Sequence, residues 1–285
     1  MDTTQHRLGV VGAGTMGNGI AHVFARSGFE VSLYEVNQQA LDRGLATVRT
    51  NLDREAAKGK IDPAEVPAIH ARLKPTLALN DLRDCTLVVE AATERLAIKQ
   101  QIFRELDALL APEAILATNT SSISITKLAG GTTRPDRVIG MHFFNPVPLM
   151  ALVELIRGLQ TSDETQQRAE AFVKAIGKTS IVAKNSPGFA VNRILCPMIN
   201  EAVFALQEGL ATAEDIDIGM KLGANHPIGP LALADLIGLD TMLSVMDVFY
   251  HGFKDPKYRP APLLREMVDA GFLGRKSGRG FYRYD

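Results

Sequence analysis

The sequence predicts an α/β protein: a doubly wound, mostly parallel sheet followed by a smaller all-α C-terminal domain. Short apolar runs alternate with helical periodicity through the first two thirds of the chain, the repetition that a parallel sheet with helical crossovers requires. A complete G-x-G-x-x-G, Gly12-Ala13-Gly14-Thr15-Met16-Gly17, stands between the first apolar run and the first helix. Beyond Asn185-Ser186-Pro187-Gly188 the helical patterns continue and strand patterns almost vanish. The expected domains are therefore 1–187 and 188–285.

Leu8–Val11 is the first predicted strand, and the helix after the glycine turn runs to about Ser27. Gly28-Phe29 turns the chain into a second strand, Val31–Glu35. Leu41, Leu45, Val48 and Leu52 recur at helical spacing, so an amphipathic helix follows. Pro63 opens a further helix at its first turn. Strands are expected at Leu87–Val89, Ile115–Thr118, Arg137–Phe143, Leu152–Ile156 and Ser180–Ala183, with helices at Ile98–Leu110 and Asp163–Ile176. In the second domain Phe189–Leu210 reads as a long helix kinked at Pro197. Thr212-Ala213-Glu214-Asp215 has N-cap chemistry. Another long helix starts near Leu231, and Pro262–Ala270 makes a shorter one.

Composition excludes several function classes. With 285 residues, 46% hydrophobic and 22% charged, the chain is neither disordered, collagen-like nor a small disulfide scaffold. Lys+Arg 31 against Asp+Glu 32 gives a net charge of -1, so no global basic field collects nucleic acid or an anionic membrane. Cys85 and Cys196 have no metal-type spacing and read as reduced thiols of a cytoplasmic protein. No targeting segment is expected, because the first strand follows Met1–His6 at once. The longest apolar stretch, Phe189 to Leu210, is broken by Asn192, Arg193, Pro197, Asn200 and Glu201, so no membrane span is expected. The six histidines are scattered and none has a ligand-spaced neighbour, so no metal is expected.

The glycine motif follows a strand, opens a helix and is trailed by Glu35 at the end of the second strand. That context marks the sheet as Rossmann-type and the turn as a dinucleotide site. Gly12 permits the tight turn, Gly14 lets the backbone approach a pyrophosphate, and Gly17 lets the helix pack on the sheet. The helix N-terminus offers N–H groups and partial positive charge to the phosphates. Glu35 accepts from ribose hydroxyls and would repel a 2′-phosphate, and Val36-Asn37-Gln38 brings no Arg to offset it. The expected cofactor is NAD.

Three further segments carry polar side chains where strands end, the place where ligands of such sheets collect. Asn119-Thr120-Ser121-Ser122 follows one strand, His142 ends another, and Glu154 interrupts the apolar run Leu152–Ile156. A carboxylate within an apolar strand is costly unless paired, and His142 is the candidate partner. A histidine held by a carboxylate has its tautomer fixed, which suits a general base. Ser, His and Glu also suggest a hydrolase triad, but Ser121 lacks the flanking glycines of a nucleophile elbow. Ser121 therefore reads as a hydrogen-bond donor to a substrate oxygen.

The segments Val11–Ala21, Asn119–Ile125, His142–Pro148, Leu152–Ile156, Ser186–Arg193 and Gly274–Tyr284 resemble the L-3-hydroxyacyl-CoA dehydrogenase family, particularly its short-chain bacterial branch acting on 3-hydroxybutyryl-CoA. The resemblance covers essentially the whole chain. It implies NAD-dependent, reversible oxidation of a (3S)-3-hydroxyacyl-CoA to the 3-oxoacyl-CoA. His142 would take the hydroxyl proton, Glu154 would orient it, and Ser121 and Asn192 would hold the C3 and thioester oxygens. Cofactor contacts carry over onto Glu35, Glu94, Lys99, Asn119, Ser121, Asn145 and Lys276, and CoA contacts onto Asn51 and Lys58. The chain has Glu35 where the family usually has Asp, Asn51 where Ser is commoner, and His226-Pro227-Ile228-Gly229-Pro230 in place of an aromatic-Pro-Met-Gly-Pro run.

The family pairs subunits through the helical domain. Apolar faces there, such as Leu195, Met198, Ile199, Val203 and Leu206, are more than one chain of this size is expected to cover, so a homodimer is expected. Two other readings remain at this stage. One is a dehydrogenase of a free hydroxyacid or sugar acid on the same plan. The other is a non-catalytic nucleotide-binding protein, which the presence of His142, Glu154 and Ser121 disfavours.

Overall fold

The computed structural model describes residues 2–284. Two compact units divide the chain, one ending at Asn185 and the other starting at Ser186.

The first unit opens with β1 (Arg7–Val11), α1 (Thr15–Arg26), β2 (Glu30–Tyr34), α2 (Gln38–Ala57), α3 (Val66–Ala71) and β3 (Leu73–Thr76). It continues with β4 (Leu87–Glu90), α4 (Leu96–Leu109), β5 (Ile115–Thr118), α5 (Ile125–Ala129), β6 (Val138–Phe143), β7 (Leu152–Arg157), α6 (Asp163–Ala175) and β8 (Thr179–Lys184). The strands form one sheet in the order β3-β2-β1-β4-β5-β6-β7-β8. All neighbours pair in parallel except β6 and β7, which are antiparallel.

Every residue of β4, β5 and β6 is buried, which is why their sequences are apolar runs without alternation. Leu8, Val10, Val31, Leu33, Val89 and Ala117 pack with Ile20, Phe24 and Phe29 in the main core. The chain winds outward from β1 through β2 to β3, then crosses to β4 on the other side of β1. The carboxyl ends of β1 and β4 thus flank a topological switch point, where such sheets bind ligands.

Two details differ from the sequence reading. β3 was not expected: Leu73-Lys74-Pro75-Thr76 has one buried residue and a proline. Its place at the sheet edge explains both, since an edge strand tolerates a missing N–H. Arg137 lies in a short 3-10 turn, Pro135–Arg137, and the strand starts at Val138.

The second unit contains α7 (Val191–Gln207), α8 (Ala213–Gly223), α9 (Pro230–Ile237), α10 (Leu239–Phe253) and α11 (Pro262–Asp269). Helix α7 runs through Pro197, and the Thr212 side chain caps α8 by accepting from Asp215 N. The long helix expected from Leu231 is two helices. Gly238, at φ +101, separates α9 from α10 in a backbone region that side chains rarely enter. The apolar faces expected to need a partner are largely covered within the unit. Ile199 and Val203 are buried in its core, and Leu195, Met198 and Leu206 pack against it. The exposed large apolar side chains here are instead Ile194, Leu210, Ile218, Leu222, Leu236 and Tyr250.

Candidate active site

The glycine turn joins β1 directly to α1. Gly12, at φ +99, donates its N–H to Tyr34 O on the neighbouring strand. A Cβ there would stand 2.7 Å from Ala92 Cα, and one at Gly17 only 1.8 Å from Gly12 O. These two glycines exist for close approach of backbone to backbone. Gly14 differs, because its Cβ would meet nothing within 4 Å. It is the N-cap of α1 and no side chain caps the helix there, so Thr15 and Met16 begin a helix whose first-turn amides are left without a side-chain acceptor. Ala13 N donates to Glu35 Oε2 at 3.0 Å, and Val36 N to Glu35 Oε1 at 2.8 Å. The carboxylate is thereby tied to the turns that follow β1 and β2.

Strands β5 and β6 bring the next set. Thr120, buried, donates to Glu94 Oε2 at 2.8 Å and accepts from Ile123 N at 2.9 Å. Glu94 also accepts from Ser121 N at 2.7 Å and from Ser121 Oγ at 3.1 Å. Asn119 Oδ1 accepts from Phe143 N at 2.8 Å. It stitches the end of β5 to β6 just after His142.

His142 and Glu154 are register partners on β6 and β7. Directly opposed residues of an antiparallel pair share a face, and His142 Nδ1 lies 2.8 Å from Glu154 Oε2. Glu154 is fully buried and His142 nearly so, with Phe144 tilted against the imidazole at 4.7 Å between centroids. With Nδ1–H given to the carboxylate, Nε2 carries the basic lone pair. Asn145 is exposed and precedes a cis peptide bond to Pro146. The following loop is pinned by Lys178, whose Nζ donates to Val147 O at 2.7 Å and Met150 O at 2.5 Å. Burial holds that ammonium below the ordinary lysine range.

Residues 7–186 match the family model of the 3-hydroxyacyl-CoA dehydrogenase NAD binding domain, and residues 188–284 match that of its C-terminal domain. The chain belongs to the 3-hydroxyacyl-CoA dehydrogenase family. A 3-hydroxybutyryl-CoA dehydrogenase of Bradyrhizobium diazoefficiens is 54% identical over 98% of this chain and 95% of its own. The crystal structure of an (S)-3-hydroxybutyryl-CoA dehydrogenase from Ralstonia eutropha, 59% identical, superposes with a TM-score of 0.96 over 98% of this chain and 99% of its own. A diketoreductase, 30% identical, reaches a TM-score of 0.86 over 98% and 99%.

NAD is the cofactor of the family's first domain, and the residues fit it. The turn is open above Gly14, the helix N-terminus has no side-chain cap, and Glu35 supplies acceptors at the end of β2. Asn51 and Lys58 lie seven residues apart on and just after α2, two turns that bring them to one face. Asn192 is in the first turn of α7 and Lys276 pairs with Asp240 at 2.5 Å, both in the second unit. Lys99, expected from the resemblance as a cofactor contact, is fully buried and paired with Glu90.

Thr118, Thr120, Glu90 and Lys178 were missed in the sequence. Glu90 carried a signal, since it ends the apolar run Leu87-Val88-Val89 just as Glu154 interrupts its own. Among the described residues no cluster of metal-ligating side chains occurs, and no helix is long and apolar enough to cross a membrane.

Proposed function

We propose that this protein catalyses the reversible, NAD-dependent oxidation of a (3S)-3-hydroxyacyl-CoA to the 3-oxoacyl-CoA, with 3-hydroxybutyryl-CoA as the preferred substrate. The observation that carries the reading is the His142–Glu154 pair, built towards the carboxyl end of β6, the end of the parallel strands at which the glycine turn follows β1. Val11, Glu90 and Thr118 are in register across β1, β4 and β5, and β6 is the next strand. Three strand spacings, about 14 Å, separate the turn from the imidazole's strand, a span that an extended dinucleotide bridges.

His142 Nε2 takes the proton of the 3-hydroxyl as the carbonyl forms. Glu154 holds Nδ1–H and stabilises the imidazolium in a buried setting. Bound NAD supplies the hydride acceptor. Ser121, its N–H held by Glu94, turns its hydroxyl from that carboxylate to donate to the C3 oxygen, and Asn192 holds the thioester carbonyl. Glu94 and Thr120 support the Ser121 turn, while Glu35, Lys99, Asn119, Asn145 and Lys276 serve the cofactor. Asn51 and Lys58 serve the CoA portion, supported by their shared face.

The active species is a homodimer through the second unit, supported by Ile218 and Leu222, four apart on α8, and by Ile194 on α7, all more than half exposed. We place the reaction in the cytoplasm, where two thiols without disulfide spacing are at home.

The test is NADH consumption with acetoacetyl-CoA, longer 3-oxoacyl-CoAs and free acetoacetate side by side. Fast turnover of acetoacetyl-CoA alone is expected. Equal turnover of free acetoacetate would move the assignment to a free-acid dehydrogenase.

A further inference from the structure

Glu90 ends β4 with a fully buried carboxylate that the reaction above leaves unused. Its Oε2 accepts from Lys99 Nζ at 2.5 Å and from the Thr118 hydroxyl at 2.8 Å. Its Oε1 accepts from Ala92 N at 2.8 Å. The Lys99 ammonium also reaches Thr118 Oγ1 at 3.3 Å and stands 3.8 Å from Glu94 Oε2. Glu94 in turn holds Thr120 and Ser121. One polar chain therefore runs from Ala92 to Ser121, through Glu90, Lys99 and Glu94.

A buried ion pair is a poor source of stability, since desolvation offsets most of its attraction and an apolar pair would fill the same space. What this one supplies is geometry. Ala92 is the backbone against which Gly12 packs, at 2.7 Å from an added Cβ, and Glu90 Oε1 fixes that backbone. At the other end, Glu90 matches the Lys99 charge. The half-exposed Glu94 carboxylate is then left to Ser121 and Thr120 rather than drawn onto the ammonium.

We propose that Glu90 is a positioning residue for cofactor binding: by neutralising Lys99 and fixing Ala92 it holds the glycine turn and the Ser121 turn in one frame. The inference rests on the assignment of the glycine turn as the NAD site. Glu90→Gln keeps the shape and removes the charge, so Lys99 turns to Glu94 and the Ser121 turn loosens.

NADH fluorescence titration of the full-length protein tests this without any acyl substrate, with circular dichroism and Tm measured alongside. For Glu90→Gln the NADH Kd should rise about tenfold, the scale of one lost charge-assisted contact. The KM for NADH should rise with it, and kcat/KM for acetoacetyl-CoA should fall as well, because the loosened turn carries Ser121. A folded Glu90→Gln protein with lowered Tm but unchanged NADH Kd would overturn the proposal, leaving the pair merely structural. Should that variant not fold, Glu90→Asp decides. It keeps the charge but is one methylene too short to hold Ala92 N and Lys99 together, so weakened NADH binding supports the proposal and wild-type binding overturns it. Wild-type protein that binds no NADH overturns both this inference and the cofactor assignment. Protein that binds NADH without reducing acetoacetyl-CoA overturns the substrate reading alone, and the ratio of Kd values still decides here.

Discussion

His142 and Glu154 face each other in register across the antiparallel junction between β6 and β7 of the described sheet, Nδ1 to Oε2 at 2.8 Å. The junction makes the pair. A slip of one residue along β7 would turn Glu154 to the opposite face. His142→Ala is expected to lower kcat by about 10² to 10⁴-fold, the usual contribution of a general base, with the NADH Kd within about twofold of wild type. Near-wild-type kcat in this variant would refute the assigned role.

Glu35 joins the two turns of the nucleotide site through Ala13 N and Val36 N. Glu35→Ala should weaken NAD binding and relax the preference over NADP, read as the ratio of kcat/KM for NADH and NADPH. An unchanged ratio would mean that the ribose is recognised elsewhere.

Gly14 and Gly17 are predicted to separate binding from folding. Gly14→Ala meets nothing within 4 Å, and its backbone, at φ -63, suits any residue. It should leave Tm unchanged and weaken NADH binding roughly tenfold, because the methyl group stands where the pyrophosphate approaches. Gly17→Ala meets Gly12 O at 1.8 Å and should lower Tm as well. Equal effects of the two on Tm would contradict this division of roles.

Asp107 contributes acid-sensitive stability. Burial alone would raise its carboxyl, but the Thr133 N–H at 2.6 Å, the Arg134 guanidinium at 2.7 Å and the Thr133 hydroxyl outweigh it and hold the group below the ordinary carboxylate range. Its contribution is complete above the unfolded-state pKa of about 4 and is lost as pH falls through the lower folded value. Asp107→Asn should lower Tm by roughly 3–10 °C at neutral pH, and the gap should begin to narrow below about pH 4 and close only as pH falls through the lower folded value. A gap that persists in acid would assign the effect to packing.

Cys85 and Cys196 are both buried, and burial pushes each thiol up to about 12. Neither should react with a thiol reagent at neutral pH in the native protein, and both should react once it is unfolded. Fast labelling of native protein would place one of them at an exposed site.

Local signals in the chain decided much of this protein. Central strands buried on both faces must be apolar runs, so β1, β4, β5 and β6 were legible, and the edge strand β3, with its Lys-Pro, was not. The glycine turn was legible because backbone approach at Gly12 and Gly17 admits no side chain, a constraint written in residue identity itself. Glu154 drew notice because an apolar strand does not carry a carboxylate without a partner. Tertiary structure alone decided which partner each charge found. Strand direction set His142 opposite Glu154, the turn from β4 into α4 brought Lys99 to Glu90, and helix packing covered Ile199 and Val203 within their own unit. Those outcomes depend on how elements turn and pack in three dimensions, and periodicity along the chain carries no record of strand order, strand direction or helix packing.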